Sequence, residues 1–197
     1  HVQQYRVLST NSFNISGGSL IINAGFERSV RREFSHPEFS NVAGLYLELN
    51  SYIYDIKYHF RNIKGWDITA GVNGMYQVND VTKGTDFIIP SYNQFDAGPF
   101  AVFEMKMNKL TLTGGIRYDS RSFHNDELYR GTNPMTGLDM YVPSASATTA
   151  DVLVFHNYDH TFSGVTYSFG ATYVFTKQLS IKGNIARGFR SPNILEI

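Results

Sequence analysis

Two histidines, His156 and His160, stand four residues apart, with Tyr158 and Asp159 between them. On a helix that spacing puts both imidazoles on one face, as metal sites require. No helical pattern surrounds them, so the pair reads first as solvated loop side chains and only second as a haem or metal contact. Arg187 and Arg190 flank Phe189. A basic pair of this kind attracts an anionic ligand, and its plainer alternative is a rim charge paired with Glu196. Asp86, Asn93, Asp96, Asp119 and Asp126 offer oxygens of the type Ca²⁺ takes, but acidic rims are common and no metal site is assigned. The chain has no cysteine, which removes thiol catalysis, disulfides and Cys-ligated zinc or iron–sulfur centres. No G-x-S-x-G nucleophile elbow occurs. The glycines sit inside alternating segments with no helix following, unlike phosphate-binding loops. No catalytic residue and no cofactor are expected, and the chain does not read as an enzyme.

The composition narrows the class. Lys+Arg 17 balances Asp+Glu 17, so no nucleic-acid partner is expected, since one would leave a basic excess. Charged residues make up 17% and aromatics 15% of the 197 residues, the reverse of a disordered chain. No apolar run approaches the roughly 18 residues of a membrane helix. The opening HVQQYRVL does not look like a leader peptide. A transmembrane β-barrel remains open, because its strands hide apolar residues by alternation.

Period two runs through most of the chain. Trp66, Ile68, Ala70, Val72, Gly74, Tyr76 and Val78 oppose Asp67, Thr69, Gly71, Asn73, Met75, Gln77 and Asn79. Leu110–Phe123 and Ser163–Thr176 repeat the pattern, which marks strands with two unlike faces. The alternation predicts about eight strands: Tyr5–Ile15, Leu20–Phe34, Leu45–Phe60, Trp66–Asn79, Phe95–Met107, Leu110–Phe123, Phe162–Thr176 and Leu179–Phe189. A phase change near Asn50–Ser51 predicts a β-bulge in the third.

The connections alternate in length. Gly17–Gly18, Arg61–Lys64, Asn108–Lys109 and Lys177–Gln178 are tight turns, whereas Ser35–Gly44, Asp80–Gln94 and His124–Thr161 are long loops. In an up-and-down antiparallel sheet all long loops then share one end, as in outer-membrane barrels. Aromatics fall into two bands. Tyr52, Tyr54, Tyr58, Phe60, Trp66, Phe103, Tyr173 and Phe175 lie toward the short turns, and Phe26, Tyr76 and Tyr118 toward the long loops. Such bands resemble interfacial girdles. A soluble β-sandwich is the rival, but it would use shorter strands. Glu27, Arg31, Asn73, Gln77, Glu104, Lys106, Arg117, Asp119, Arg121, Lys182, Asn184 and Arg190 are expected to face a hydrated interior.

The stretch Ile185–Ile197, IARGFRSPNILEI, resembles the signature of TonB-dependent outer-membrane receptors. Gly188, Phe189, Arg190, Pro192, Asn193, Leu195 and Glu196 match that box, and Ser191 stands where alanine is commoner. Gly84–Arg121, with its Ile89-Pro90-Ser91-Tyr92-Asn93 phrase, is similar in style to receptors of the Bacteroidetes group. The resemblance implies an all-β fold: an antiparallel up-and-down transmembrane β-barrel segment of about eight strands from a 22-stranded receptor barrel. It implies residues 1–197 as a partial barrel domain, without plug domain, TonB box or closing strand. The implied activity is energised import of a scarce nutrient across the outer membrane of a Gram-negative bacterium. A ferric siderophore or haem is the preferred ligand, and outer-membrane lipid, the receptor's own plug and, through it, TonB are the partners. Haem receptors of the family often place a histidine near the box. The candidate ligand contacts are therefore His156, Tyr158, His160, Arg187 and Arg190. The alternative is a self-contained eight-stranded outer-membrane barrel with a structural or adhesion role.

Overall fold

The computed structural model describes residues 1–196. In chain order the strands are β1 (Val2–Ile15), β2 (Gly18–Glu33), β3 (Leu45–His59), β4 (Trp66–Asp80), β5 (Tyr92–Met107), β6 (Leu110–Asn125), β7 (Leu128–Thr132), β8 (Asp139–Val142), β9 (Val152–Phe155), β10 (Tyr158–Val174) and β11 (Ser180–Arg187). Eight of them form one antiparallel sheet in the order β1-β2-β3-β4-β5-β6-β10-β11. Neighbours along the chain are neighbours in space, apart from β7–β9, which make a separate small sheet within the longest loop. All eight expected strands are present, with ends displaced by a few residues.

Tight turns close one end. Ser16 and Gly17 both adopt positive φ between β1 and β2, and Asn108 (φ 46) turns the β5–β6 hairpin. That conformation matches the twist of a two-residue hairpin. The segments between β2 and β3, between β4 and β5, and between β6 and β10 all lie at the other end.

Cross-strand partners share a face, so the register assigns every side chain. Leu20, Ile22, Ala24 and Phe26 of β2 fall on the same face as Tyr58, Ile56, Tyr54 and Tyr52 of β3. That face continues through Trp66, Ile68, Ala70, Val72 and Tyr76, then Phe103, Ala101 and Phe95. It ends with Leu110, Leu112, Ile116 and Tyr118 beside Tyr173, Ala171, Tyr167 and Val165. These side chains are uncovered; Ile116 is 58% exposed. An apolar surface this continuous does not suit water. The apolar spans Trp66 to Tyr76, Leu110 to Tyr118 and Val165 to Tyr173 match the roughly 9–11 residues of a tilted membrane-crossing strand. The opposite face carries all twelve of the polar residues expected inside except Arg190, which lies beyond β11.

Three expectations need correction. The β2–β3 and β3–β4 registers run without a shift through Asn50 and Ser51, so β3 has no bulge there. Leu45, Leu47 and Leu49 instead face inward, while Tyr52 to Tyr58 face outward. The phase change marks where β3 leaves the lipid and its apolar side turns toward the loops. Tyr52 accordingly belongs to the girdle nearer the long loops, 5.0 Å from Phe26 and 6.3 Å from Tyr76. Finally, the loop expected over His124–Thr161 is partly strand, because β6 and β10 continue their pairing to Asn125 and Tyr158.

The dry core lies at the long-loop end. Val81, Phe123 and Leu128 are almost wholly buried there, with the Tyr92 ring 5.1 Å from Phe123. Buried polar groups nearby are satisfied: Asn79 donates to the Pro90 carbonyl at 3.3 Å, and Asn125 to the His156 carbonyl at 2.8 Å. The long loops are thus packed structures set on the wall.

Candidate functional site

The inward face is built from short side chains. Asn23, Asp55, Asn73 and Gly98 are successive cross-strand partners from β2 to β5, and Asp119 and Gly164 are partners across β6 and β10. Asn23 donates to Asp55 at 2.9 Å. The two glycines make room for larger groups laid across them. A Cβ on Gly98 would stand 1.9 Å from the Arg117 guanidinium, and one on Gly164 would stand 2.2 Å from the Phe189 ring. Arg117 is also paired with Asp119.

Arg121 is the hub of this face. It grips Asp96 with two parallel hydrogen bonds of 2.7 and 2.8 Å, and a third N–H donates to the Pro192 carbonyl at 3.1 Å. Gln94 donates to the same Asp96 carboxylate at 3.0 Å. The fork geometry of guanidinium on carboxylate gives the pair orientation as well as energy. Asp96 and Arg121 are direct partners across the β5–β6 hairpin. Counting back from the Asn108–Lys109 turn identifies them, a signal that the residue types alone do not display.

After β11 the box folds inward over this face. The Phe189 amide donates to the Thr166 hydroxyl at 3.1 Å. Asn193 and Glu196 then cap one another. The Asn193 amide donates to the Glu196 carboxylate at 2.9 Å, while the Asn193 side chain accepts from the Leu195 amide at 2.9 Å. The Asn-x-x-Glu spacing is that of a capping box. Arg190 pairs with Glu196 at 2.8 Å. That guanidinium, and next the Asn193 amide, hold the Glu196 carboxyl below the usual carboxylate range, and Glu196 raises Arg190 in return. The box residues therefore shape a turn, which Arg121 fastens to the wall. Together they border a cavity of about 920 Å³ lined also by Asp55, Asn73 and Asp119.

The expected histidine pair does not assemble. His160 lies inward on β10, where its ring is 4.6 Å from Phe162 and 6.1 Å from Tyr158. His156 is exposed in the connection before β10. Asp159 is turned to the other face and approaches His124 at 3.3 Å. A strand sends neighbours to opposite sides, so the helical geometry that would join the two imidazoles is absent. Among the described residues no group of three or more His, Asp or Glu is placed to hold a metal ion. The basic pair also separates: Arg187 shares the outward face with its partner Tyr167, while Arg190 borders the cavity.

Eight long strands, a hydrophobic outer face, a polar inner face and loops of alternating length define a membrane β-barrel wall. A family model for the TonB-dependent receptor-like β-barrel matches residues 3–197, and the chain belongs to that family. It is a family of transporters, not of enzymes. Comparison with curated proteins and with solved structures gives no match.

Proposed function

We propose that this chain forms roughly one third of the wall of an outer-membrane receptor that imports a ferric siderophore or haem. The receptor is of the Bacteroidetes type, sits in the outer membrane of a Gram-negative bacterium and works with its own plug and, through the plug, with TonB. The observation that carries this proposal is the inward-folded box beside a cavity of about 920 Å³ bordered by charged side chains, within the range of small-ligand sites. Asp55, Arg117, Asp119 and Arg190 offer charge and hydrogen bonds there, and Phe189 offers an aromatic surface. Tyr158 and His160 extend the aromatic surface toward the cell exterior, and His156 stands at the rim. Arg187 is left out of the ligand-facing set because of its outward position. The self-contained eight-stranded barrel is the weaker alternative, since β1 and β11 pair on one side only.

The test is deletion of the gene carrying this chain, followed by growth on single iron sources. Loss of growth on one siderophore or on haem, restored by the gene, is expected. Unimpaired growth and uptake on every iron source would overturn the assignment of cargo.

A further inference from the structure

The inward face carries a second cavity, of about 450 Å³, nearer the long loops than the first. Ile88 and Pro90 from the β4–β5 connection, Val154 and Phe155 of β9, and Ile194 and Leu195 of the box turn line it. Three segments distant in the sequence thus bring apolar side chains to one place. No aspartate, glutamate, lysine or arginine borders it. The cavity below is bordered by Asp55, Asp96, Arg117, Asp119, Arg121 and Arg190. Polar groups that reach the upper cavity are already committed. The Pro90 carbonyl accepts from Asn79 at 3.3 Å. The amide of the buried Asn125 donates to the His156 carbonyl at 2.8 Å and to the Asp126 carbonyl at 3.1 Å. A polar ligand finds few partners there, whereas an apolar one strands no donor or acceptor. The cavity is nevertheless open, with Ile88 60% and Leu195 79% exposed. Apolar side chains uncovered in a hydrated interior gain by taking apolar material out of water.

One turn divides the two cavities. Arg190, Ser191 and Asn193 border the lower, and Ile194 and Leu195 the upper. On β6 the same inward face presents Arg121 to the lower and Asn125 to the upper. These two positions are about 13 Å apart at roughly 3.3 Å per residue. An extended chain of about ten carbons, with bonds of about 1.5 Å, covers that distance. The contiguity selects the occupant: one molecule reaches from charged surroundings below to apolar ones above. We propose that the ligand of this receptor is amphipathic, with its polar end in the lower cavity and an apolar arm of about ten carbons in the upper one. The proposal rests on the lower cavity being the ligand site and is independent of iron or haem.

The test uses the whole protein that carries this chain, held in lipid nanodiscs. Two photoactivatable decanoates are the probes, one with a diazirine at its methyl end and one with the diazirine beside the carboxylate. Labelled residues are identified by mass spectrometry. The methyl-end probe is expected to label residues 88–90, 154–155 and 194–195, and the carboxylate-end probe Thr166 and Phe189 of the lower cavity. Ile88→Asn with Leu195→Asn should lower methyl-end labelling about fivefold or more, while Met135→Asn should leave it unchanged. Unlabelled carboxylates should compete better by about three- to fourfold per added methylene, up to about ten carbons. Labelling confined to outward residues such as Ile116 and Val165 would report partition into the bilayer and overturn the proposal. Labelling of the lower cavity alone also overturns it and leaves the lower ligand site standing. So does an upper cavity that stays unlabelled because another segment of the receptor fills it. Both variant side chains stand in solvent; should the double variant still fail to fold, the wild-type labelling map and chain-length series decide. Growth on iron sources is not the readout, so the cargo assignment and this one fail separately.

Discussion

Arg121 satisfies Asp96 and the Pro192 carbonyl at once, so its loss leaves an acid unpaired and a turn unfastened. Both side chains of the Arg121–Asp96 pair are about one-fifth exposed, which moderates the penalty. Arg121→Ala is expected to destabilise the wall by about 2 kcal/mol, measured as the denaturant midpoint in detergent. Amide exchange should rise over residues 189–196 and change little in β10. Glu196 supplies a pH dependence with a definite sign. Its carboxyl is held below the usual range by Arg190 and the Asn193 amide. The stabilisation is therefore present above the ordinary carboxylate pKa and is lost as pH falls through the lowered value. Protection of the Asn193 amide should persist into mildly acidic solution, then collapse. In Arg190→Ala the collapse should come at higher pH, which titration of the Glu196 carboxyl would show directly. At this scale the sequence was partly legible. Alternation alone puts Arg121 and Asp119 on the inward face, but the Arg121 fork depends on a register between two strands.

At the scale of strands, the wall is held by long side chains laid over neighbouring glycines. Tyr54 passes over Gly74 of β4 and donates to the Asp96 carbonyl of β5 at 2.9 Å. A Cβ at Gly74 would stand 1.9 Å from that carbonyl oxygen and 2.7 Å from the tyrosine hydroxyl. Gly74→Val is therefore expected to cost about 1–3 kcal/mol from overpacking, and Tyr54→Phe about 1 kcal/mol from the single hydrogen bond. The temperature at which the folded band is lost on a gel checks both. The strands themselves were readable from alternation, because lipid outside and water inside impose unlike faces. A bulge in β3 follows only if one face stays apolar along the whole strand. Above the membrane that condition lapses, and Leu45, Leu47 and Leu49 turn to the loops instead. Alternation does not reveal the β7–β9 sheet, since its short strands carry no sustained period and depend on the burial of Leu128.

For the whole molecule, β1 and β11 each have a neighbour on one side only, and their residues are exposed throughout. Unpaired strand edges invite association with any other edge. Residues 1–196 produced alone should self-associate in detergent, and hydrogen exchange should be fast at both terminal strands. In the larger receptor proposed above the same strands should be protected. Monodisperse protein with protected β1 and β11 would instead require a closed small barrel.

The turn Asn133–Gly137 at the outer tip of the loop sheet is closed by its own hydrogen bonds, from the Gly137 amide to the Asn133 carbonyl at 2.9 Å and from the Asn133 amide to the Leu138 carbonyl at 2.8 Å. Met135 at its crest is 90% exposed and supports nothing beneath it. A foreign peptide spliced beside Met135 would therefore be carried on a stiff stalk that leaves the strands beneath it undisturbed, open to an antibody against the insert.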